Sequence, residues 1–365
     1  MKDYQIYRLP MGSPDDVSAL KNLLDNKTIE AKDITAIIAQ TEGDGYARGY
    51  SSLTFELLLA EYLTTSREEV AQKIPMLMIG LTGGLMSPHY NVFVTKEVNA
   101  APSNETRFAV GITKTRVLKP EEYGTRAMVL LVAEAVRDAM VQAGISDPKD
   151  VHLVEVKTPN LTAARIADAE SRGQTVVSKN FAEAGSKAKG AAALGVALAL
   201  GEIKDADVTD AAVCSNWNLF SNVASTSAGN EQVACKVVLM GNSTESASKL
   251  VIGSGVMKDT LDLQGAKDAF QGAGLSIVDG VVPEADRKRL ASVFINAGAD
   301  AMGSIRGRRT TMKSDFLAGY QGIIAKAVIN AVVGAMIGDT MILASAGFEH
   351  QGPLGANLVA VIAEA

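Results

Sequence analysis

Hydrophobic and polar positions along the chain follow one order of elements three times. Each time, an apolar strand leads through a loop to an amphipathic helix, and a second apolar strand then ends on one polar residue. The first strands begin at YQIYRLP (4–10), RFAVGITK (107–114) and CKVVLMGN (235–242). The second strands end at Gln40, Lys157 and Asn296. A recurrence over this distance predicts internal repeats.

Each repeat then continues in the same way, with another helix and an apolar strand that runs into a glycine turn. The helices are SSLTFELLLAEYL (51–63), SKAKGAAALGVALALGEI (186–203) and YQGIIAKAVINAVVGAMIG (320–338). The closing strands are IPMLMIGLTGG (74–84), LFSNVASTSAGNE (219–231) and TMILASAGFEHQG (340–352). Aligned on the turn, the equivalent residues are Ile79, Ser227 and Ser345, followed by Gly80, Ala228 and Ala346.

One such unit cannot bury a sheet face alone, whereas three units packed together can. We therefore predict an α+β fold of three related units, residues 1–104, 105–250 and 251–365, around a pseudo-threefold axis. The seams are expected near residues 100–105 and 243–253. The polar strand ends and the glycine turns would meet at the centre, where we expect the active site.

Composition and charge exclude several classes of protein. The residues are 47% hydrophobic and 21% charged, which is enough for a sizeable core, and the net charge of −6 without a basic block argues against nucleic-acid binding. Two cysteines and three histidines show no metal-ligand spacing, so no metal or cofactor is predicted. No apolar signal segment or membrane-spanning run is present, which predicts a cytoplasmic protein without a membrane partner.

Only the central repeat offers the parts of a serine-based active site. A serine nucleophile needs a neighbouring base, and a lysine whose pKa is lowered by burial can be that base. Lys157 ends an apolar strand, and small residues follow Ser227, which leaves backbone N–H groups free for an oxyanion. The spacing alone leaves a structural interpretation open, because lysines often end strands and serines often begin turns.

Several motifs together resemble one known family, the ring-opening amidohydrolases, which include cyanuric acid hydrolase and barbiturase. They span nearly the whole chain in the family's order: TEGDG (41–45), MSPHYNVF (86–93), VKTPNLTAARI (156–166), KGAAALGVALA (189–199), STSAGNE (225–231), SKLVIGSGVMKD (248–259) and SAGFEHQGPLGANLVAVIAEA (345–365). The resemblance implies three related α+β units around a pseudo-threefold axis and a homo-oligomer, a tetramer. It also implies hydrolysis of a small cyclic amide, with one Ser–Lys pair and one arginine in each unit.

Carried onto this sequence, the resemblance makes Ser227 the nucleophile and Lys157 its base. In the first unit Gln40 and Ile79 stand at the lysine and serine positions, and in the third unit Asn296 replaces the lysine while Ser345 is kept. The family's arginine positions fall on Ser52, Lys189 and Lys326. A carboxylate of the family's structural metal site is replaced by Gly298, so that metal is not predicted.

These departures predict that cyanuric acid, with three equivalent carbonyls, is not the preferred substrate. A less symmetric cyclic amide, imide or ureide is expected. The alternative is a non-catalytic, small-molecule-binding relative, because two of the three dyads are lost. The residues expected to bind the substrate are Ala228, Lys189, Ser345, Ala346, Lys326, Gly80, Ile79, Gln40, Asn296 and Ser52.

Overall fold

The computed structural model describes residues 1–43, 45–101 and 104–365. Asp44 of the TEGDG motif lies outside these ranges, as do Pro102 and Ser103 of the first predicted seam. Within them the chain forms three four-stranded sheets, flanked by helices, and one short two-stranded ribbon.

The first sheet is built by residues 2–97. Its strands and helices, in chain order, are β1 (Lys2–Pro10), α1 (Ser18–Asp25), β2 (Ile34–Gln40), α2 (Gly45–Leu63), α3 (Arg67–Lys73), β3 (Met76–Ile79) and β4 (His89–Glu97). The strand order is β1-β4-β2-β3, with β2 and β3 parallel and the other pairs antiparallel.

The second sheet is built by residues 107–243. Its elements are β5 (Arg107–Lys114), α4 (Arg126–Ala143), β6 (Val151–Pro159), α5 (Ala163–Ser171), α6 (Phe181–Ala199), β7 (Ala224–Gly229) and β8 (Lys236–Ser243). The strand order is β5-β8-β6-β7, again with one parallel pair, β6 and β7.

The third sheet is built by residues 250–364. Its elements are β9 (Leu250–Met257), α7 (Leu263–Gly272), α8 (Glu284–Arg287), β10 (Leu290–Ala297), β11 (Ser304–Ile305), β12 (Arg308–Arg309), α9 (Gln321–Ile337), β13 (Leu343–Ala346) and β14 (Asn357–Glu364). β11 and β12 pair with each other as the ribbon, and the sheet order is β9-β14-β10-β13.

All three sheets therefore share one order: first strand, fourth strand, second strand, third strand. The predicted α+β fold of three related units is confirmed by this common topology. One detail of the repeat pattern is wrong. The run CKVVLMGN contains β8, which pairs with β5 and β6 and completes the second sheet, whereas the third sheet begins with β9. The unit boundaries at 104/105 and 250/251 stay predictions.

Local sequence explains how the helices of the second unit are set. The Asn180 side chain accepts hydrogen bonds from the backbone N–H groups of Ala182 and Glu183, which caps the start of α6. The helix α4 ends at Gly144, whose φ of 64° is the left-handed conformation that glycine adopts without strain. α6 is rich in alanine and glycine and packs against α4, so little side-chain bulk separates the two axes.

The third strands of the sheets come together at the centre of the molecule. β3, β7 and β13 are each an edge strand, and β13 contacts β2, β3 and β7. Side chains also bond across units: the Ala344 N–H donates to Gln40 Oε1 at 2.7 Å, and the Thr226 N–H donates to Gln351 Oε1 at 2.6 Å. The units are thus held to one another at the carboxyl ends of their parallel strands.

Among the described helices, none combines the length and the apolar character that crossing a membrane requires.

Candidate active site

Three equivalent residue pairs lie where the parallel strands end. Gln40 of β2 is opposite Ile79 of β3, Lys157 of β6 is opposite Ser227 of β7, and Asn296 of β10 is opposite Ser345 of β13. Neighbouring strands lie about 4.8 Å apart, and side chains directly opposite each other point to the same face. The structure therefore brings the members of each sequence-aligned pair side by side.

A cavity of about 420 Å³, which we call the central cavity, opens at these strand ends. Its lining includes nine of the residues predicted from sequence: Ser227, Lys157, Ala228, Lys189, Ser345, Ala346, Lys326, Gly80 and Ile79. It also includes Arg48, which the sequence analysis missed. Four lining side chains are cationic, and none of the described lining residues is acidic, so the cavity suits a ligand rich in carbonyl oxygens or carrying negative charge.

Lys157 has the environment of a base rather than that of a surface cation. Only 4% of the residue is exposed, and burial lowers the pKa of its amine to about 8. Glu231 and Glu155 raise the pKa, whereas Arg48 and Lys236 lower it. A lysine with this pKa is partly neutral near neutral pH, and only the neutral amine can accept a proton.

Glu231 is the carboxylate closest to Lys157, with 3.9 Å between Oε1 and Nζ. A Cβ placed on Gly229 would lie 2.1 Å from Glu231 Oε1, so the carboxylate folds back over the glycine turn that follows Ser227. Lys157, and to a smaller extent Arg48, lower the pKa of Glu231 against the effect of burial. The absence of a side chain at Gly229 is what permits this close approach.

The backbone after Ser227 is oriented to offer N–H groups to a ligand. The Thr226 N–H points away from β6, since it donates to Gln351 Oε1. Backbone groups two residues apart in a strand point in the same direction, so the Ala228 N–H also points away from β6. In the third unit the Ala344 N–H donates to Gln40, which gives the Ala346 N–H the equivalent orientation. Ala228 and Ala346 both line the central cavity.

The motif EHQGP (349–353) holds both Lys189 and the strand β7 that carries Ser227. Lys189 Nζ lies 2.6 Å from Glu349 Oε1, and the Glu349 side chain is only 4% exposed. Gln351 donates to the other Glu349 oxygen at 3.3 Å and accepts from the Thr226 N–H. Lys189 therefore both lines the central cavity and compensates a buried carboxylate, which ties α6 to the third unit.

His350, in the same motif, is held as a neutral structural residue. Its Nε2 accepts from the Cys214 N–H at 2.7 Å, which leaves Nδ1 to donate to the Leu219 carbonyl at 2.6 Å. Burial lowers the pKa of the ring, and the ring stacks on Trp217. Both nitrogens are thus occupied by backbone groups.

Lys326 lies inside the apolar helix α9 and reaches into the first unit. Its Nζ donates to the Gly80 carbonyl at 2.7 Å, and only 3% of the residue is exposed. Burial, together with Arg48 nearby, lowers the pKa of its amine to about 8. The strand ends of each unit line one part of the central cavity, which we call a corner. The third unit thus supplies a cation to the first corner, where Ile79 stands at the position that is a serine in the other two units.

Arg48 is the cation that the first unit contributes. A Cβ placed on Gly80 would lie 3.0 Å from Arg48 Nη1, so the guanidinium lies against the turn after β3. Within residues 1–43, 45–101 and 104–365 no hydrogen bond or ion pair is found for this guanidinium. One signal could have revealed it: Arg48 precedes Ser52, the family's arginine position, by four residues on α2, and such residues share a helix face.

Three predicted substrate-binding residues do not line the central cavity. Gln40 is fully buried and uses its amide to donate to the Ile79 carbonyl and to accept from Ala344. Asn296 donates to the Gly347 carbonyl at 2.8 Å. Ser52 lines a separate cavity of about 270 Å³, which borders Arg48 and Lys236. Substrate contact by these three residues stays a prediction.

Position 298 does not fit a carboxylate ligand of the metal site that the family resemblance implies. A Cβ at this position would lie 2.3 Å from the Ala356 carbonyl oxygen, so the backbone leaves no room for a ligating side chain. Among the side chains that the structure describes, which exclude those of Asp300 and Asp315, no group of three or more His, Cys, Asp or Glu residues is placed to hold a metal.

Comparison with known proteins gives one consistent family. The model of the family described as amidohydrolase ring-opening protein matches residues 5–364. A cyclic amide hydrolase of Azorhizobium caulinodans is 42% identical over 364 residues, covering 99% of both chains. A cyanuric acid amidohydrolase of Enterobacter cloacae is 40% identical over 367 residues, covering 98% of each chain.

Solved structures give the same result for the fold. A cyanuric acid hydrolase structure, described as an evolutionary innovation by structural concatenation, superimposes with a TM-score of 0.92 at 36% identity and covers 100% of both chains. The cyanuric acid hydrolase of A. caulinodans superimposes with a TM-score of 0.88, also at 36% identity, over 100% of this chain and 99% of that one.

Proposed function

Because this chain belongs to the family of ring-opening amidohydrolases, we propose that it hydrolyses one C–N bond of a small cyclic amide, imide or ureide. Ser227 acts as the nucleophile and Lys157 as its base. The relatives that cover nearly the whole chain carry the names of hydrolases acting on cyclic amides, which supports this reaction class.

One observation carries the proposal. Lys157 and Ser227 are register partners on adjoining parallel strands, both line the central cavity, and burial lowers the pKa of the lysine. The equivalent pairs in the other units lack a lysine, so among the described residues at these strand ends there is one serine–lysine pair. A non-catalytic binding protein would not need a buried amine at this position, and nothing in the described residues favours that alternative.

The mechanism follows from the protonation state of Lys157. The neutral amine takes the proton of the Ser227 hydroxyl while Oγ attacks a ring carbonyl carbon. The Ala228 N–H and the nearby cations stabilise the oxyanion of the tetrahedral intermediate. The C–N bond then breaks, the ring nitrogen takes the proton from the Lys157 ammonium, and an acyl-enzyme remains. Water, deprotonated by Lys157, releases the ring-opened acid and regenerates Ser227.

The three corners of the central cavity differ, and this difference argues for an asymmetric substrate. The first corner carries Ile79, Arg48 and the amine of Lys326, which reaches in from the third unit; the second carries the dyad and Lys189, and the third carries Ser345. The sequence analysis left the first corner without a cation, but Arg48 supplies one. A ring with non-equivalent carbonyls, one of them bound by the Arg48 guanidinium, fits these corners better than the symmetric cyanuric acid ring.

Removal of the Arg48 guanidinium is expected to weaken substrate binding. Arg48→Met should raise KM by about 10- to 100-fold, the effect of losing a charged hydrogen bond, with a smaller change in kcat. Steady-state kinetics on a ring that the wild-type protein opens would measure both parameters. The double change Arg48→Ser with Ser52→Arg moves the guanidinium by one helical turn and should restore part of KM. An unchanged KM in Arg48→Met would contradict substrate contact at this corner.

The pKa of Lys157 predicts the pH dependence of turnover. Below about pH 8 most of the amine is protonated and cannot accept the serine proton, so kcat should rise about tenfold per pH unit and level off above pH 8. Lys326 loses its charge in the same range and should affect KM rather than kcat. The profile of kcat at saturating substrate tests this. A kcat that stays constant between pH 6 and 9 would argue against Lys157 as the base.

A panel of cyclic compounds tests the reaction class. The panel contains cyanuric acid, barbituric acid, an unsubstituted cyclic imide, a dihydropyrimidine ureide and a lactam, and ring opening is followed as the addition of one water by mass spectrometry. We expect turnover of at least one asymmetric ring at a higher kcat/KM than cyanuric acid. No ring opening in the whole panel would favour the non-catalytic alternative. The homotetramer and the cytoplasmic location stay predictions.

A further inference from the structure

A second polar pair lies next to Lys157 and Ser227, two residues closer to the start of the strands β6 and β7. Glu155 precedes Lys157 by two residues on β6, and its register partner on β7 is Ser225, two residues before Ser227. Residues two apart in a strand point to the same face, so the carboxyl group lies on the face of the sheet that carries the Lys157 amine. The second unit thus carries two polar layers, one above the other.

The other two units are apolar in this layer. The equivalent pairs are Ile38 with Leu77 and Phe294 with Leu343, and all four side chains are buried in one hydrophobic cluster. Glu155 is itself only 5% exposed. A buried carboxyl group is costly unless a charge or a hydrogen bond compensates it. Its occurrence only in the unit with the intact dyad indicates a role connected with Lys157.

Lys157 is the charged residue that acts on the pKa of Glu155, and the other neighbours of this carboxyl group are uncharged. Ser225 lies opposite, and hydrogen bonding from its buried hydroxyl favours the ionised form of the Glu155 carboxyl group. Glu155 lines a small cavity of about 10 Å³ together with His152 and Asn296. Burial lowers the pKa of His152 to about 4, so its ring is neutral. Burial raises the pKa of Glu155 to about 7, against the effects of Ser225 and Lys157. Glu155 and Lys157 therefore each favour the ionised form of the other.

We propose that Glu155 is a positioning residue of the Ser227–Lys157 reaction, whose carboxylate stabilises the Lys157 ammonium that forms when the serine proton is transferred. The inference depends on the proposed function. The proton moves from Ser227 Oγ to Lys157 Nζ, while Glu155 stays ionised and forms no new bond. The role is the one that a carboxylate has next to the base of a Ser-His-Asp triad, where it stabilises the protonated base.

A serine-directed fluorophosphonate tests this role without a known substrate. Ser227 Oγ attacks the phosphorus, fluoride leaves, and the rate of labelling reports how much Lys157 is neutral. In Glu155→Gln the midpoint of the rising pH–rate limb should move down by about one pH unit, because the lost negative charge no longer favours the ammonium. The plateau rate should fall about tenfold, since the weaker base is a poorer proton acceptor. The other charges around Lys157, those of Glu231, Arg48 and Lys236, are unchanged in this variant.

Two further variants complete the test. Ser225→Ala should shift the midpoint in the same direction but less, because the carboxyl group then stays protonated to a higher pH. Ser292→Ala removes a buried serine of β10 for which the described part of the chain offers no hydrogen-bond partner, and it should leave the profile at the wild-type position. An unshifted midpoint in Glu155→Gln, or in Ser225→Ala if the first variant does not fold, would overturn the inference. Absence of label on wild-type Ser227 would instead contradict the Ser–Lys assignment, and this inference with it.

Discussion

Substitution of Ser227 with alanine is expected to lower kcat by at least about four orders of magnitude, because the acyl-enzyme can no longer form. Ser227 is partly buried, and the structure gives its hydroxyl no structural partner among the described residues. The fold should therefore be unaffected, and the thermal midpoint should stay within about 3 °C of the wild-type value, since surface-like changes alter stability little. Activity on the ring opened by the wild-type protein, together with a melting curve, measures both.

The matched control is Ser292→Ala, a buried serine on β10 outside the central cavity. It should keep wild-type activity. If Ser227→Ala keeps more than a few per cent of wild-type kcat, a different nucleophile is in use and the assignment is wrong. Ser345, the serine retained in the third unit, would then be the first residue to examine, because it occupies the equivalent register position.

Substitution of Lys157 with methionine is expected to lower kcat by about three orders of magnitude. Methionine keeps the unbranched, apolar part of the side chain but cannot accept a proton. Since burial already disfavours the Lys157 ammonium, removal of the charge should not destabilise the folded protein. The residual rate of Lys157→Met should not rise toward pH 8, as is expected of the wild-type protein. A substitution that changed only the shape of the active site would lower the rate without removing this pH dependence.

Lys187→Met is the matched control for this change. Lys187 is a half-buried lysine of α6 that donates to the Val213 carbonyl at 2.7 Å and does not line the central cavity. Its loss should reduce stability slightly and leave kcat and its pH dependence unchanged. A Lys157→Met variant with wild-type kcat would exclude the lysine as the base.

The order of elements could be predicted from sequence, but the assignment of strands to sheets could not. The repeat of apolar strand, helix and apolar strand located the three parallel pairs, and the register places Gln40, Lys157 and Asn296 in equivalent positions. The run that contains β8 looked like the start of the third unit, because an apolar strand after a turn carries no signal for the sheet that it joins. Pairing with β5 and β6 depends on contacts between distant residues.

The direction of each side chain cannot be read from an alignment, and this limited how much of the site could be predicted. Position-by-position comparison with the family led to Ser52, whereas the helix brings Arg48, one turn earlier, to the central cavity. Gln40 and Asn296 were expected to face a substrate, but the side chains of both form hydrogen bonds with backbone groups of a neighbouring strand or turn. Glu155 looked like an ordinary strand residue, and only the register of β6 with β7 shows that it lies under the dyad.

The central claim is that Ser227 attacks the ring carbonyl and Lys157 accepts its proton. Rapid quenching of the reaction with the ring opened by the wild-type protein, followed by peptide mapping with mass spectrometry, tests it most directly. We expect a mass increase equal to that of the substrate on the peptide that carries Ser227, absent in Ser227→Ala and slow to accumulate in Lys157→Met. Turnover without this adduct, or an adduct on Ser345 instead, would contradict the account.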